Sequence, residues 1–171
     1  MTTGARAAAR DLTAPPAPLL DEVDECCRAL AATAVGRVFT VPAGDAEAAL
    51  RSESRSGARY DTVLSFMCTP HVASLEDYVA ALEQVLADRG WILMVEPAGI
   101  DRGVLHRWLI TRLRRQPPPP RARGGDVVSA VRARGLFVTD IHRREARSVP
   151  PAWRQYVELR ARHATPRPEG S

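Results

Sequence analysis

The sequence has no lysine and no asparagine among its 171 residues, and all 24 of its basic residues are arginine. With Ala and Pro abundant, this is the bias that a GC-rich coding sequence imposes on any surface. The formal charge of +4 and the pI near 9.5 are therefore not by themselves a nucleic-acid signature. Aromatic residues are scarce, at 5%. The arginine-rich stretch from residue 102 to 147 lacks the interleaved aromatics that base contact needs, so no nucleic-acid partner is expected. Cysteine is limited to Cys26, Cys27 and Cys68, an odd number with two adjacent, which gives no disulfide framework and points to a reducing setting. Cys68 and His71 have a Cys-x-x-His spacing, but no second ligand pair accompanies them, so no metal is expected. No apolar run approaches the roughly 18 residues of a membrane span. The opening MTTGARAAAR has no apolar core like that of a secretory signal, so a cytoplasmic protein without a membrane partner is the expectation.

What is present fits one soluble domain: 45% apolar and 26% charged residues, in apolar segments punctuated by Gly and Pro. Residues 1–18, rich in Ala, Arg and Pro, read as a flexible lead-in, residues 19–162 as the domain, and residues 163–171 as a disordered tail. Leu19 to Leu30 has apolar positions at three- and four-residue spacing, which predicts an amphipathic helix closed by Gly36. Arg37 to Val41 predicts a short strand followed by a turn at Pro42 to Asp45, and residues 51–59 (RSESRSGAR) a solvated loop. Asp61 to Met67 and Trp91 to Val95 are compact apolar runs of the kind buried on both faces of a parallel sheet. Between them Ser74 and Asp77 form a capping box, Leu75, Val79, Leu82, Val85 and Leu86 make a buried stripe, and Gly90 ends the helix. Strand, helix and strand in that order make a right-handed βαβ unit. A helix over Val104 to Arg115, a Pro-rich linker at 116–125, a helix capped by Asp126 and ended by Gly135, and strands at Leu136 to Ile141 and Tyr156 to Leu159 follow.

Residues 59–97 carry a resemblance. Tyr60-Asp61, His71-Val72, Gly90 and Glu96-Pro97 stand in the order and spacing found in small-molecule class I S-adenosylmethionine-dependent methyltransferases (methyltransferase type 11-like), from the fourth strand to the end of the fifth. Asp88-Arg89 replaces the family's Pro-Gly before the matched glycine. Gly44-Asp45-Ala46-Glu47 is similar to the segment after the third strand, and Asp11-Leu12-Thr13 to the end of the second. The resemblance implies an α/β fold: a Rossmann-like methyltransferase sheet, mostly parallel, with helices on both faces. It also implies that the family's first strand and glycine-rich loop are missing from the front, leaving the sheet incomplete. Strand edges do not stay bare, so the strand at 37–41 is expected to pair directly with that at 61–66, in an order of third, fourth, fifth, seventh and sixth strands in the family's naming. The alternative is a homodimer, or a partner chain, that covers the same edges.

The resemblance implies S-adenosylmethionine as cofactor and an unidentified small-molecule substrate. The expected cofactor contacts are Asp11 on the ribose, Asp45 with Gly44 and Ala46 on the adenine, and Ser65 and Phe66 at the carboxyl end of the buried strand, where open α/β sheets bind ligands. Without the glycine loop, this chain is expected to bind the cofactor weakly or not at all, and a non-catalytic remnant acting as an interaction partner is the second reading. His71 reads either as a group that orients or deprotonates the substrate or as a structural cap for the next helix. Asp45 reads equally as a turn residue. Glu96 either caps the following loop or faces the pocket.

Overall fold

The computed structural model describes residues 17–98, 126–146 and 154–164. The predicted helix at 104–115, the Pro-rich linker, Asp11, nearly all of the lead-in and most of the tail lie outside the described residues.

Five strands, β1 (Val38–Thr40), β2 (Tyr60–Phe66), β3 (Leu86–Pro97), β4 (Leu136–Glu145) and β5 (Gln155–His163), form one sheet in the order β1-β2-β3-β5-β4. β1 pairs with β2 and β2 with β3 in parallel, whereas β5 runs antiparallel to both β3 and β4. Four strands therefore point one way and one the other, and the sheet is mostly parallel. The direct pairing of β1 with β2, Val38 opposite Thr62 and Thr40 opposite Leu64, is the first of the two outcomes expected from the edge argument. The helices among the described residues are α1 (Ala17–Ala31), α2 (Ala46–Ser56), α3 (Leu75–Val85) and α4 (Val127–Ala133). None is long and apolar enough to cross a membrane among the described residues.

The two-residue period of the buried strands explains why helices cover both faces. Val63, Ile92, Met94, Val157, Leu159 and Ala161 point to one side, where Leu50 of α2, Val79, Leu82 and Val85 of α3, and Val128 and Val131 of α4 meet them. Leu64, Leu93, Val95 and Tyr156 point to the other, under Val23 and Leu30 of α1.

Local chemistry explains the boundaries and corrects several expectations. Residues 51–56 are not a loop but the second half of α2. Ala46, Ala49 and Leu50 supply its inner face, the charged RSESRS its outer face, and Gly57 at φ 71° ends it in the left-handed conformation. α1 stops at Ala31, before Gly36. Gly36 instead turns the chain into β1 at φ +64°, where an added Cβ would lie 2.6 Å from Asp61 Cβ, and Arg37 N–H donates to Asp61 Oδ2 at 2.7 Å. α3 ends at Val85 rather than at Gly90, because Leu86 already pairs with Tyr60. The next matched pair is Thr62 with Trp91, so residues 87–90 bulge from the ladder. Gly90 is needed there because a Cβ would come within 2.8 Å of the Tyr60 carbonyl. Asp126 occupies the cap position of α4 but makes no side-chain cap hydrogen bond. Its Oδ2 faces Arg143 at 3.5 Å and the Ser129 hydroxyl at 3.4 Å.

The predicted cap of α3 is present: Asp77 N–H donates to Ser74 Oγ at 3.1 Å. Ser74→Ala should lower stability by about 1 kcal/mol, the usual cost of an exposed N-cap, measured as a shift of the urea midpoint at unchanged slope.

Candidate functional site

The loops at the carboxyl ends of β1, β2 and β3 converge. After β1 the chain makes a 3-10 turn at Ala43–Asp45 and enters α2; after β2 it makes a second at Thr69–His71. The two turns lie against each other. They are tied by the Cys68 thiol, which donates to the Val41 carbonyl at 3.6 Å, and by the Ala73 N–H, which donates to Glu47 Oε1 at 2.7 Å. The fold thus brings Gly44, Asp45, Ala46, Ser65, Phe66 and His71 to one edge of the sheet.

These residues present different groups there. Gly44 and Asp45 are exposed, and nothing lies within 4 Å of the position a Gly44 Cβ would take. The Asp45 carboxylate has no hydrogen-bond partner or ion pair among the described residues. Ala46 is buried and begins α2, offering backbone only. Phe66 is half-buried. His71 is exposed, and its imidazole makes no hydrogen bond among the described residues; the cap of α3 is Ser74, not His71. Ser65 is fully buried, its hydroxyl donating to Glu96 Oε1 at 2.7 Å and lying 2.7 Å from the Tyr78 hydroxyl. Ser65 is therefore covered, backbone included, and supports this edge from inside the sheet rather than presenting an atom to a ligand.

The centre that holds this edge is Glu96, which sequence reasoning left between two roles. Its side chain is 0% exposed. Oε1 accepts from Ser65 Oγ and, at 3.1 Å, from Cys68 N–H; Oε2 accepts from Thr69 N–H and Thr69 Oγ1, both at 2.9 Å. It thus fastens the loop that follows β2, across the β2–β3 pairing. The backbone makes this possible: Met67 adopts a positive φ of 54° and Cys68 a right-handed one, φ −82° and ψ −37°. Successive left- and right-handed residues turn consecutive N–H groups toward one point, the concavity that receives an anion. A non-glycine residue held at positive φ is strain that the surroundings must over-determine, and such residues gather at functional edges.

Burial pushes the Glu96 carboxyl above its ordinary value of 4.5, against the pull of the Ser65, Thr69 and Cys68 donors. Burial, and then the Glu96 charge, push the Cys68 thiol up to about 11, so it is a neutral packing group at pH 7 and no nucleophile. Burial and Glu96 also hold the Tyr78 phenol well above its usual range. In the sequence Tyr78 falls on the same helical stripe as Leu75, Val79 and Leu82, and nothing there marks it out from a core residue. Only its hydroxyl distinguishes its role.

No protein-family model matches the sequence, and no curated protein matches it. Solved structures do. The N-methyltransferase NodS from Bradyrhizobium japonicum, crystallised with S-adenosyl-L-homocysteine, superposes with a TM-score of 0.52 over 86% of this chain and 88% of its own, at 12% identity. The magnesium protoporphyrin IX methyltransferase ChlM from Synechocystis, also with S-adenosylhomocysteine, gives a TM-score of 0.42 at 13% identity over 85% of this chain and 83% of its own. A 16S rRNA adenine methyltransferase from Catenulisporales acidiphilia gives 0.40 at 18% identity over 90% and 95%. At these identities the likeness is one of fold, and the first superposition carries it. The chain has the class I methyltransferase fold.

Proposed function

We propose that this chain is an S-adenosylmethionine-dependent methyltransferase-like protein acting on a small molecule, with its adenosine-binding edge at the carboxyl ends of β1 and β2. The observation that carries this reading is the convergence of the two 3-10 turns at one sheet edge, with the Asp45 carboxylate exposed and unpartnered beside the open backbone of Gly44. That donor set suits an adenine edge: a carboxylate accepts from the amino group, and the backbone at Ala46 meets the ring. Phe66 would flank the adenosine with Ser65 buried behind it, Asp11 would hold the ribose hydroxyls, and His71, free and exposed, would orient the acceptor. When bound, the cofactor supplies an electrophilic methyl group. This chain's part is then to align acceptor and methyl carbon, a task of proximity and orientation that needs no dedicated catalytic pair.

The direct β1–β2 pairing favours a second reading, the non-catalytic remnant, because it draws the loop at Asp45 toward that at Ser65 and narrows the space a cofactor needs. One titration separates the two. Calorimetry with S-adenosylhomocysteine should give a dissociation constant no tighter than about 10 µM, weakened about tenfold by Asp45→Ala, the value of one charge-assisted hydrogen bond. Saturable binding that ignores the substitution would place the adenosine elsewhere. No binding at about 1 mM, with the chain folded by circular dichroism, would leave the remnant.

A further inference from the structure

Among the described residues, α1 covers only part of its sheet face. Beyond it, toward the amino ends of β3 and β4, the sheet opens into a cavity of about 420 Å³. Val35, Trp91 and Leu93 form its apolar walls, and Thr33, Thr139, Asp140 and Arg160 its polar ones. It lies away from the strand ends that carry the two 3-10 turns, so it is separate from the adenosine edge and does not depend on that reading.

Two observations distinguish this cavity from a gap in packing. Arg160 Nε is buried without a hydrogen-bond partner, and its guanidinium makes no ion pair among the described residues. Its cross-strand neighbour Asp140 does not take the charge; Asp140 Oδ1 lies 3.2 Å from His142 Nε2 instead. A buried donor with no acceptor is costly, and a ligand oxygen would remove that cost. The second observation is the fixed aromatic wall. The Arg162 guanidinium sits over the Trp91 ring at 5.1 Å from its centroid, holding the indole in place. Phe137, 54% exposed, stands opposite Arg162 on the same face.

We propose that this cavity binds a small aromatic carboxylate, its carboxylate on Arg160 and its ring against Trp91, Leu93 and Val35. The volume lies within the roughly 300 to 1,000 Å³ of small-molecule pockets. Arg160 in the lining and Arg162 over the Trp91 wall face one carboxylate, Asp140, and that balance favours a monoanion. The hydroxyl of Thr33 donates to the Leu30 carbonyl and that of Thr139 to the Arg160 carbonyl, leaving Arg160 as the donor for an anion. Asp140 beside it opposes a second negative charge, which disfavours a phosphate dianion.

The test is calorimetric titration of the full chain with 2-naphthoate. Binding is expected to saturate below about 1 mM and to weaken about tenfold or more when Arg160→Met removes the guanidinium, or when 2-naphthamide replaces the acid. Asp140→Asn should tighten binding by removing the like charge, and naphthyl phosphate should bind more weakly than naphthoate. Circular dichroism checks that each variant is folded; should Arg160→Met not fold, the amide probe and Asp140→Asn still decide. No saturable binding, equal binding of acid and amide, looser binding by Asp140→Asn, or tighter binding of the phosphate would each overturn the assignment.

Discussion

Glu96→Ala is expected to remove about 3 to 5 kcal/mol of folding stability, a large part of what a single domain possesses. The substitution strips the acceptor from the fully buried Cys68 N–H and from the half-buried Thr69 N–H and hydroxyl. Each buried donor left without a partner costs about 1 to 3 kcal/mol. The Ser65 hydroxyl is the exception, since it can turn to Tyr78. Denaturant unfolding measures the loss, and a change under about 1 kcal/mol would mean that the carboxylate is not what fastens the loop. Glu96→Gln should cost less, because it keeps the volume and one acceptor oxygen while facing its amide hydrogens to donors.

The pH dependence of that second variant carries a sign. The folded-state pKa of Glu96 is raised above 4.5, so the native chain holds this proton more tightly than the unfolded chain does. Its stability contribution is therefore full below pH 4.5 and lost as the pH rises through the folded value. Gln cannot titrate, so the stability advantage of Glu96 over Gln should shrink as the pH rises from 4.5. An advantage that grows with pH would mean that the four donors outweigh burial.

Leu82→Ala should cost roughly 2 to 5 kcal/mol, with a melting temperature lower by about 5 to 15 °C. Leu82 is 0% exposed, in the stripe of α3 that packs with Leu50 of α2 and Val131 of α4 against the sheet. Truncation would leave a cavity bounded by three helices and two strands, which cannot all move inward together. Thermal unfolding followed by circular dichroism checks it. An unchanged melting temperature would contradict the burial of this stripe.

The sequence by itself determined the elements whose apolar pattern has a period: β2 and β3 as unbroken apolar runs, α1 and α3 as three- and four-residue stripes, and the Ser74 cap by its spacing to Asp77. It also narrowed the strand order to two outcomes, because a row of unpaired backbone donors must find a partner, either on the strand at 37–41 or on another chain, and the structure shows the first. α2 escaped because its inner face is mostly alanine, whose small side chain gives little contrast against RSESRS; Gly57 was the available sign of its end. The tertiary structure alone decided which carboxylate is buried. Nothing local separates Glu96 from Glu47 or Asp45. Only the β2–β3 pairing, with the left-handed turn at Met67, carries two backbone N–H groups and two hydroxyls onto Glu96 while leaving Asp45 in the open. The same holds for Arg160, one arginine among 24 in the sequence. Three strands and the α1–β1 turn, distant along the chain, enclose its Nε without giving it an acceptor, and no pattern of neighbours in sequence encodes that.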